Sequence, residues 1–175
     1  MARPRVAAWV VTALLGVAFP AGAVRSADAI VIIANAGLGE LDELTLPVLR
    51  QLYLGRRTRV AGRSIHFFEP APGSVARRAF ARLVVQLSER DLERYWLEQA
   101  LSGGPLPPRE IASAEELVRR VAVRQGAVAY LEWEAWQRLP QRGVKVVPLR
   151  VDGRRLLPHE PDYPLRARQG SGLQR

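Results

Sequence analysis

The sequence SIHFFEPAPGSVARRAF, at residues 64–80, places a strand directly before a helix. Residues 64–69 predict a strand, and the proline-rich and glycine-containing residues 70–73 predict a rigid loop. Ser74 is a favourable N-cap for the helix that follows. The predicted apolar face of this helix comprises Val75, Ala79, Phe80, Leu83 and Val84. A strand, a turn and a helix in this order form the repeating unit of an α/β layer fold.

The flanking segments continue this alternation of strands and helices. Further strands are predicted at residues 29–34, 110–112, 127–131 and 144–147, and a hairpin at 149–157. Further helices are predicted to begin after Thr45, Ser88 and Ser113 and at residues 133–139. The connections between residues 64 and 130 are long enough for parallel crossovers. We therefore expect a three-layer α/β fold with helices on both faces of one sheet.

The N-terminal residues 1–23 have the pattern of a secretory signal peptide. Arg3 and Arg5 precede an apolar run at residues 6–19, and small residues follow at 21–23. Alternatives are a cut after Ala29 or an uncleaved anchor. After cleavage at residue 23 we expect one soluble domain at residues 24–168 in the periplasm, with a disordered tail at 169–175.

The composition limits the classes of function. The formal net charge of the 175-residue chain is +9, and cleavage would remove Arg3 and Arg5. An acidic partner is one explanation of this charge. The other is a compositional bias, because every basic residue except Lys145 is an arginine and the arginines are scattered in pairs. The chain has no cysteine, which excludes disulfides, lipidation of a cysteine and thiolate metal sites.

The turn before the helix that Ser74 caps is the strongest candidate site. The first N–H groups of a helix have no partners within the helix and favour anions. We expect Gly73, Ser74 and Val75 to bind an oxyanion through backbone N–H groups and the Ser74 hydroxyl. Arg77 would add a guanidinium, and Asn35 is a further candidate. The alternative is that Gly73 and Ser74 only cap the helix.

Six segments in order resemble the second lobe of phosphate-type substrate-binding proteins of ABC transporters. No single motif is specific to the family. The order of the six motifs, which extends over nearly the whole predicted mature chain, is specific. The chain corresponds to about half of a usual family member. The segments are AIVIIAN (29–35), LTLPVLRQLYLGRRTRVAGRSI (44–65), PGSVARRAF (72–80), IASAEELVRRVAVRQGAVAYLEW (111–133), VKVVPLRVDG (144–153) and DYPLRAR (162–168).

This resemblance implies a lobe of a type 2 periplasmic binding protein that binds phosphate or a similar oxyanion without a cofactor or catalysis. It also implies an ABC transporter membrane component or another envelope protein as partner. The chain has Val75 and Ala76 where the family usually has glycine and threonine in its phosphate loop. The alternative is therefore a degenerate lobe that serves as a protein-interaction module without a ligand.

Other functional classes have less support in the sequence. The two histidines, His66 and His159, are too few and too isolated for a metal site or a catalytic triad. Glu132 and Glu134 are two residues apart, which does not place them on one helix face as an acid–base pair. We expect no nucleic-acid partner after export, and there is no P-loop or dinucleotide fingerprint.

Overall fold

The computed structural model describes residues 29–38, 43–140, 144–153 and 163–166. The strands in these ranges are β1 (Ile30–Asn35), β2 (Glu43–Leu44), β3 (Arg59–Val60), β4 (Arg63–Ser64), β5 (His66–Pro70), β6 (Arg109–Ile111), β7 (Ala127–Glu132), β8 (Val146–Pro148) and β9 (Arg150–Val151). The α-helices are α1 (Leu46–Tyr53), α2 (Val75–Phe80), α3 (Glu89–Leu101), α4 (Ala114–Val123) and α5 (Trp133–Arg138). The predicted alternation of strands and helices is therefore confirmed, with boundaries that differ by at most two residues.

The central sheet has five strands in the order β6-β5-β7-β1-β8. Strand β5 pairs in parallel with both β6 and β7, as the long connections predict. Strand β1 runs antiparallel to both β7 and β8. The carboxyl ends of β5, β6 and β7 consequently lie at one edge of the sheet, together with the start of β1.

Alternate residues of the central strands pack into two separate cores. Ile30 and Ile32 of β1 face a core that includes residues of α1, α2 and α3. Val31 and Ile33 face the opposite core, formed with α4 and α5. Because successive side chains of a strand point to opposite faces, a strand buried on both faces is apolar throughout. The predicted three-layer architecture is confirmed.

The helix starts follow the capping residues of the sequence. Each predicted cap accepts a hydrogen bond from the backbone N–H three residues later, which satisfies one of the free donors of the first turn. The caps are Thr45, Ser74, Ser88 and Ser113, with donor–acceptor distances of 3.4, 3.2, 3.1 and 3.2 Å.

The helix after Ser74 differs from its prediction in two ways. Helix α2 changes at Phe80 into a wider π-helical turn that includes Leu83 and Val84. Val75 was expected on the apolar face but is 40% exposed, because it is the first helical residue and lies at the protein surface. The remaining predicted apolar residues are buried or pack against the core.

Two short pairings were missed or only partly predicted. The predicted polar turn at residues 56–63 includes a small hairpin in which β3 pairs with β4. Strand β9 pairs in parallel with β2, which lies about a hundred residues earlier in the chain. Asp152 and Gly153 form the expected turn with positive φ angles, but the second half of the predicted hairpin lies outside the described residues.

The last described segment, residues 163–166, is hydrogen-bonded to the start of β1. The Tyr163 hydroxyl donates to the Ile30 carbonyl at 2.7 Å, and the Ile30 N–H donates to the Leu165 carbonyl at 3.1 Å. The predicted signal peptide and the predicted tail at 169–175 lie outside the described residues. Within the described ranges, no helix has the length and apolar character needed to cross a bilayer.

Candidate functional site

The Gly73-Ser74 turn lies at the carboxyl end of β5, where it connects the sheet to α2. Gly73 has a φ of 75°, a conformation that glycine adopts without strain. The Ser74 N–H donates to the Ala71 carbonyl at 3.3 Å, and the Ser74 hydroxyl caps α2. The local arrangement of strand, turn and capped helix is the one that the sequence predicts.

The backbone donor of the turn already holds a carboxylate. The exposed Gly73 N–H donates to Oε1 of Glu89 at 2.9 Å. Glu89 is the first residue of α3, so the contact ties the two helix starts together. The Arg78 guanidinium of α2 donates to the Gly73 carbonyl. The turn therefore binds an oxyanion group supplied by the chain itself.

Arg77 does not offer a free guanidinium to a ligand, which corrects the sequence prediction. It is only 4% exposed, because the third position of α2 faces the core. Its Nη1 lies 2.7 Å from Oε1 of Glu110, and its Nη2 lies 3.4 Å from Oε1 of Glu69. Glu110 is 49% exposed, whereas Glu69 is fully buried. Two carboxylates thus neutralise Arg77.

Glu69 is the centre of a buried polar network that the sequence analysis missed. Its Oε2 accepts hydrogen bonds from the hydroxyls of Tyr53 at 2.5 Å and Tyr130 at 3.3 Å. Burial raises the pKa of Glu69, although both tyrosines and Arg77 oppose that shift. Burial, followed by the nearby Glu69 carboxylate, also raises the pKa of Tyr53. The signal in the sequence was a glutamate that directly follows Phe67 and Phe68 within the predicted strand.

Asn35 does not join the Gly73-Ser74 turn, which is the second correction. It pairs with Val146 at the end of β1, level with the amino end of β7, and so lies at the opposite edge of the sheet from Gly73. Its Nδ2 donates to the carbonyls of Val121 and Ala122 at 2.8 and 2.9 Å, and its Oδ1 accepts from the Gly37 N–H. Asn35 therefore satisfies the last carbonyls of α4, which lack helical partners.

The described residues contain no group of three or more histidine, aspartate or glutamate side chains arranged for a metal ion. His66 lies in β5 and contacts Arg124, and His159 lies outside the described residues. Of the predicted site, the structure brings together Gly73, Ser74 and Val75 at the surface. Arg77 lies beneath them in an ion-pair network.

No protein-family model matches the sequence, and no curated protein sequence is significantly similar to it. Solved structures are similar in fold. An ABC-type phosphate transport receptor from Vibrio cholerae has a TM-score of 0.54 at 15% identity, over 73% of this chain and 48% of that one. PstS from Borrelia burgdorferi has a TM-score of 0.52 at 15% identity, over 72% and 48%.

A phosphate ABC transporter substrate-binding protein from Clostridium perfringens, solved with bound phosphate, has a TM-score of 0.54 at 18% identity. It is matched over 72% of this chain and 46% of its own length. The chain thus spans about half the length of the solved structures that it resembles. It has the α/β fold found in phosphate-binding receptors of ABC transporters, over one half of such a receptor.

Proposed function

We propose that this chain is an exported, non-enzymatic solute-binding-type protein of the periplasm that binds phosphate or a similar small oxyanion. The proposed site is the Gly73-Ser74-Val75 turn. The observation that carries it is the contact between the Gly73 N–H and the Glu89 carboxylate. A carboxylate oxygen and a phosphate oxygen are equivalent acceptors for this donor.

The ligand competes with the side chain that now occupies the turn. Glu89 is an internal carboxylate on the first turn of α3, so phosphate must displace it from the Gly73 N–H. The Ser74 hydroxyl and the first N–H groups of α2 are the other donors that we assign to the ligand. Arg77 lies beneath the turn, is paired with Glu69 and Glu110, and makes no direct contact with the ligand.

Binding at this turn is expected to be weak. The anion stays largely hydrated at an exposed site, where the surrounding dielectric constant is high and each charge contact contributes little. Glu69, Glu89 and Glu110 also place negative charge near the turn. We therefore expect a dissociation constant on the order of 1 mM, which corresponds to about −4 kcal/mol.

Replacement of the competing carboxylate tests this site directly. Glu89→Gln is expected to increase phosphate affinity by about fivefold, because the amide competes less well for the Gly73 N–H and removes a repulsive charge. Calorimetric titration with phosphate, and with sulfate for selectivity, measures the change. Glu93→Gln is the matched control, since Glu93 is exposed on the same helix. Equal affinities for the two variants would exclude the Gly73 turn as the site.

Removal of the cap hydroxyl provides the complementary test. Ser74→Ala is expected to weaken phosphate binding by about threefold and to cost about 1 kcal/mol of stability through loss of the cap. Ser113→Ala removes the equivalent cap of α4, a helix that packs on the opposite face of the sheet from α2. The same loss of stability with unchanged affinity in Ser113→Ala separates binding from folding.

The proposal also includes export by residues 1–23 and a partner in the envelope, either an ABC transporter membrane component or another protein. The order of basic, apolar and small residues supports export. Fractionation of cells that express the chain with and without residues 1–23 is the test. Recovery of both forms in the cytoplasm would remove the periplasmic location from the proposal.

The second candidate function is a protein-interaction module without a ligand. A shallow groove of about 850 Å³ on the α4 side is lined mainly by apolar residues and includes Val123, which is 82% exposed. Such a surface is typical of protein contacts. A photo-crosslinker at Val123 that captures one envelope protein, with no capture from Glu93, would favour this function over phosphate binding.

A further inference from the structure

A cavity lies at the amino end of β5, away from the Gly73 turn at its carboxyl end. It has a volume of about 390 Å³, which is within the range of small-molecule sites. His66 at the start of β5 and the loop before β6 form part of its wall. His66 and Gly73 are separated by the length of β5 and its following loop, roughly 15 Å at 3.3 Å per strand residue.

The rim of this cavity is basic. Arg57, Arg109 and Arg124 all line it, and none of its lining residues is an aspartate or a glutamate. All three arginines are exposed, so their guanidinium groups remain accessible to a ligand. Arg57 donates its Nε to the Arg59 carbonyl at 2.8 Å, which leaves its terminal nitrogens available. Three like charges that converge on one concave surface attract a multivalent anion.

His66 positions one of these arginines. The Nη2 of Arg124 lies 3.3 and 3.5 Å from the two ring nitrogens of His66. Burial, followed by the Arg124 charge, lowers the pKa of His66, so the ring is neutral at neutral pH and its one unprotonated nitrogen is able to accept from the guanidinium. The histidine thus holds Arg124 at the cavity. Unlike a carboxylate, it adds no negative charge that would compete with an anionic ligand for the guanidinium.

The floor of the cavity is apolar, and one wall is preformed. Phe67 and the exposed Leu106 line it beside the arginines. Gly55, with a φ of 69°, packs so closely against Pro105 that a Cβ at this position would lie 2.6 Å from the Pro105 side chain. The proline-rich loop is therefore fixed against the end of α1, and the cavity needs no rearrangement to form.

We propose that this cavity is a second anion-binding site, specific for small organic phosphates that combine an aromatic or aliphatic body with a phosphate group. The phosphate contacts the arginine rim, where guanidinium groups form paired hydrogen bonds with its oxygens. The organic body covers Phe67 and Leu106 and is thereby removed from water. Inorganic phosphate lacks this second contribution and binds here more weakly.

Calorimetric titration of the mature protein with phenyl phosphate tests the proposal. Inorganic phosphate is the probe for the charge contacts alone. Benzyl alcohol is the probe for the apolar contacts alone. We expect phenyl phosphate to bind about tenfold more tightly than inorganic phosphate, because it buries apolar area in addition to its charge contacts. Arg124→Gln and Arg109→Gln should each weaken phenyl phosphate about tenfold, since a hydrogen bond between charged groups is lost.

The control variants distinguish this site from the Gly73 turn. Arg138→Gln removes the same charge from α5, which contributes no residue to the cavity lining, and should leave phenyl phosphate binding unchanged. Glu89→Gln should also leave it unchanged, although it alters inorganic phosphate binding at the turn. Equal weakening by Arg124→Gln and Arg138→Gln, or no binding of phenyl phosphate to the wild-type protein at millimolar concentration, would overturn the second site. Sensitivity of phenyl phosphate to Glu89→Gln would assign it to the turn instead.

Discussion

Gly126→Ala is expected to lower the free energy of unfolding by about 3 kcal/mol or more, because two penalties coincide at this residue. Gly126 has a φ of 77°, where an L-residue with a side chain is strained. A Cβ at this position would also lie 2.3 Å from the carbonyl oxygen of Ser64. The Gly126 carbonyl accepts from the His66 N–H at 2.9 Å, so relief of the clash disturbs the parallel pairing of β5 with β7.

A second glycine with the same φ angle separates the effect of the contact with Ser64 from the effect of the backbone strain. Gly62 has the same φ of 77°, but a Cβ there would meet no atom within 4 Å. Gly62→Ala is therefore expected to cost only about 1 kcal/mol. Urea unfolding of both variants, followed by circular dichroism, measures the difference. Similar losses for the two variants would show that the Ser64 contact relaxes without cost.

The local features of the fold were predictable because their causes are local in sequence. A hydroxyl at a helix start and an apolar run between turns act over a few residues, as at Ser74 and Ser113. The strand, turn and helix at residues 64–80 were therefore predicted within about two residues at each boundary, a normal uncertainty for helix ends. The change from α2 to a π-helical turn at Phe80 has no such local signal.

The direction of β1 was not predictable in the same way. Its apolar run indicates a strand buried on both faces, a property that parallel and antiparallel central strands share. The antiparallel pairing depends on partners about a hundred residues later, in β7 and β8. The pairing of β2 with β9 is equally remote, and two-residue strands carry no periodic pattern.

In the candidate site, too, local features were predictable from the sequence and contacts with remote residues were not. Gly73 and Ser74 occupy the predicted turn, since backbone conformation and capping are local properties. Arg77 and Asn35 were assigned by residue type, and their partners lie far along the chain. Arg77 pairs with Glu110, and Asn35 binds the end of α4. A basic side chain on the inward face of a helix requires a buried acid, and Glu69 meets that requirement at the end of an apolar strand.

Arg77→Met is expected to destabilise the fold by about 3–5 kcal/mol, because it leaves the buried Glu69 without its cationic partner. Methionine fills a similar volume without a charge, so the loss reports on electrostatics more than on packing. Glu69 keeps the hydroxyl donors of Tyr53 and Tyr130, but these do not supply a positive charge. Urea unfolding at neutral pH measures the loss.

The double variant Glu69→Gln/Arg77→Met separates an ion-pair role from a packing role. It removes both charges and keeps the amide as an acceptor for Tyr53, so most of the lost stability should return, to within about 1–2 kcal/mol of the wild type. A double variant as unstable as Arg77→Met alone would mean that the arginine acts through its packing. If Arg77→Met alone were as stable as the wild type, the ion pair would make no contribution to the stability of the fold.

The pH dependence of Arg77→Met gives an independent signature of the unpaired acid. Burial raises the pKa of Glu69 above its unfolded value, and removal of Arg77, which opposes that shift, raises it further. In the window between the two values the folded state binds more protons than the unfolded state, so stability falls as pH rises. The deficit of Arg77→Met relative to the wild type should therefore shrink when pH is lowered from about 7.5 to about 5. A deficit that is constant over this range would show that Glu69 is not the group left uncompensated.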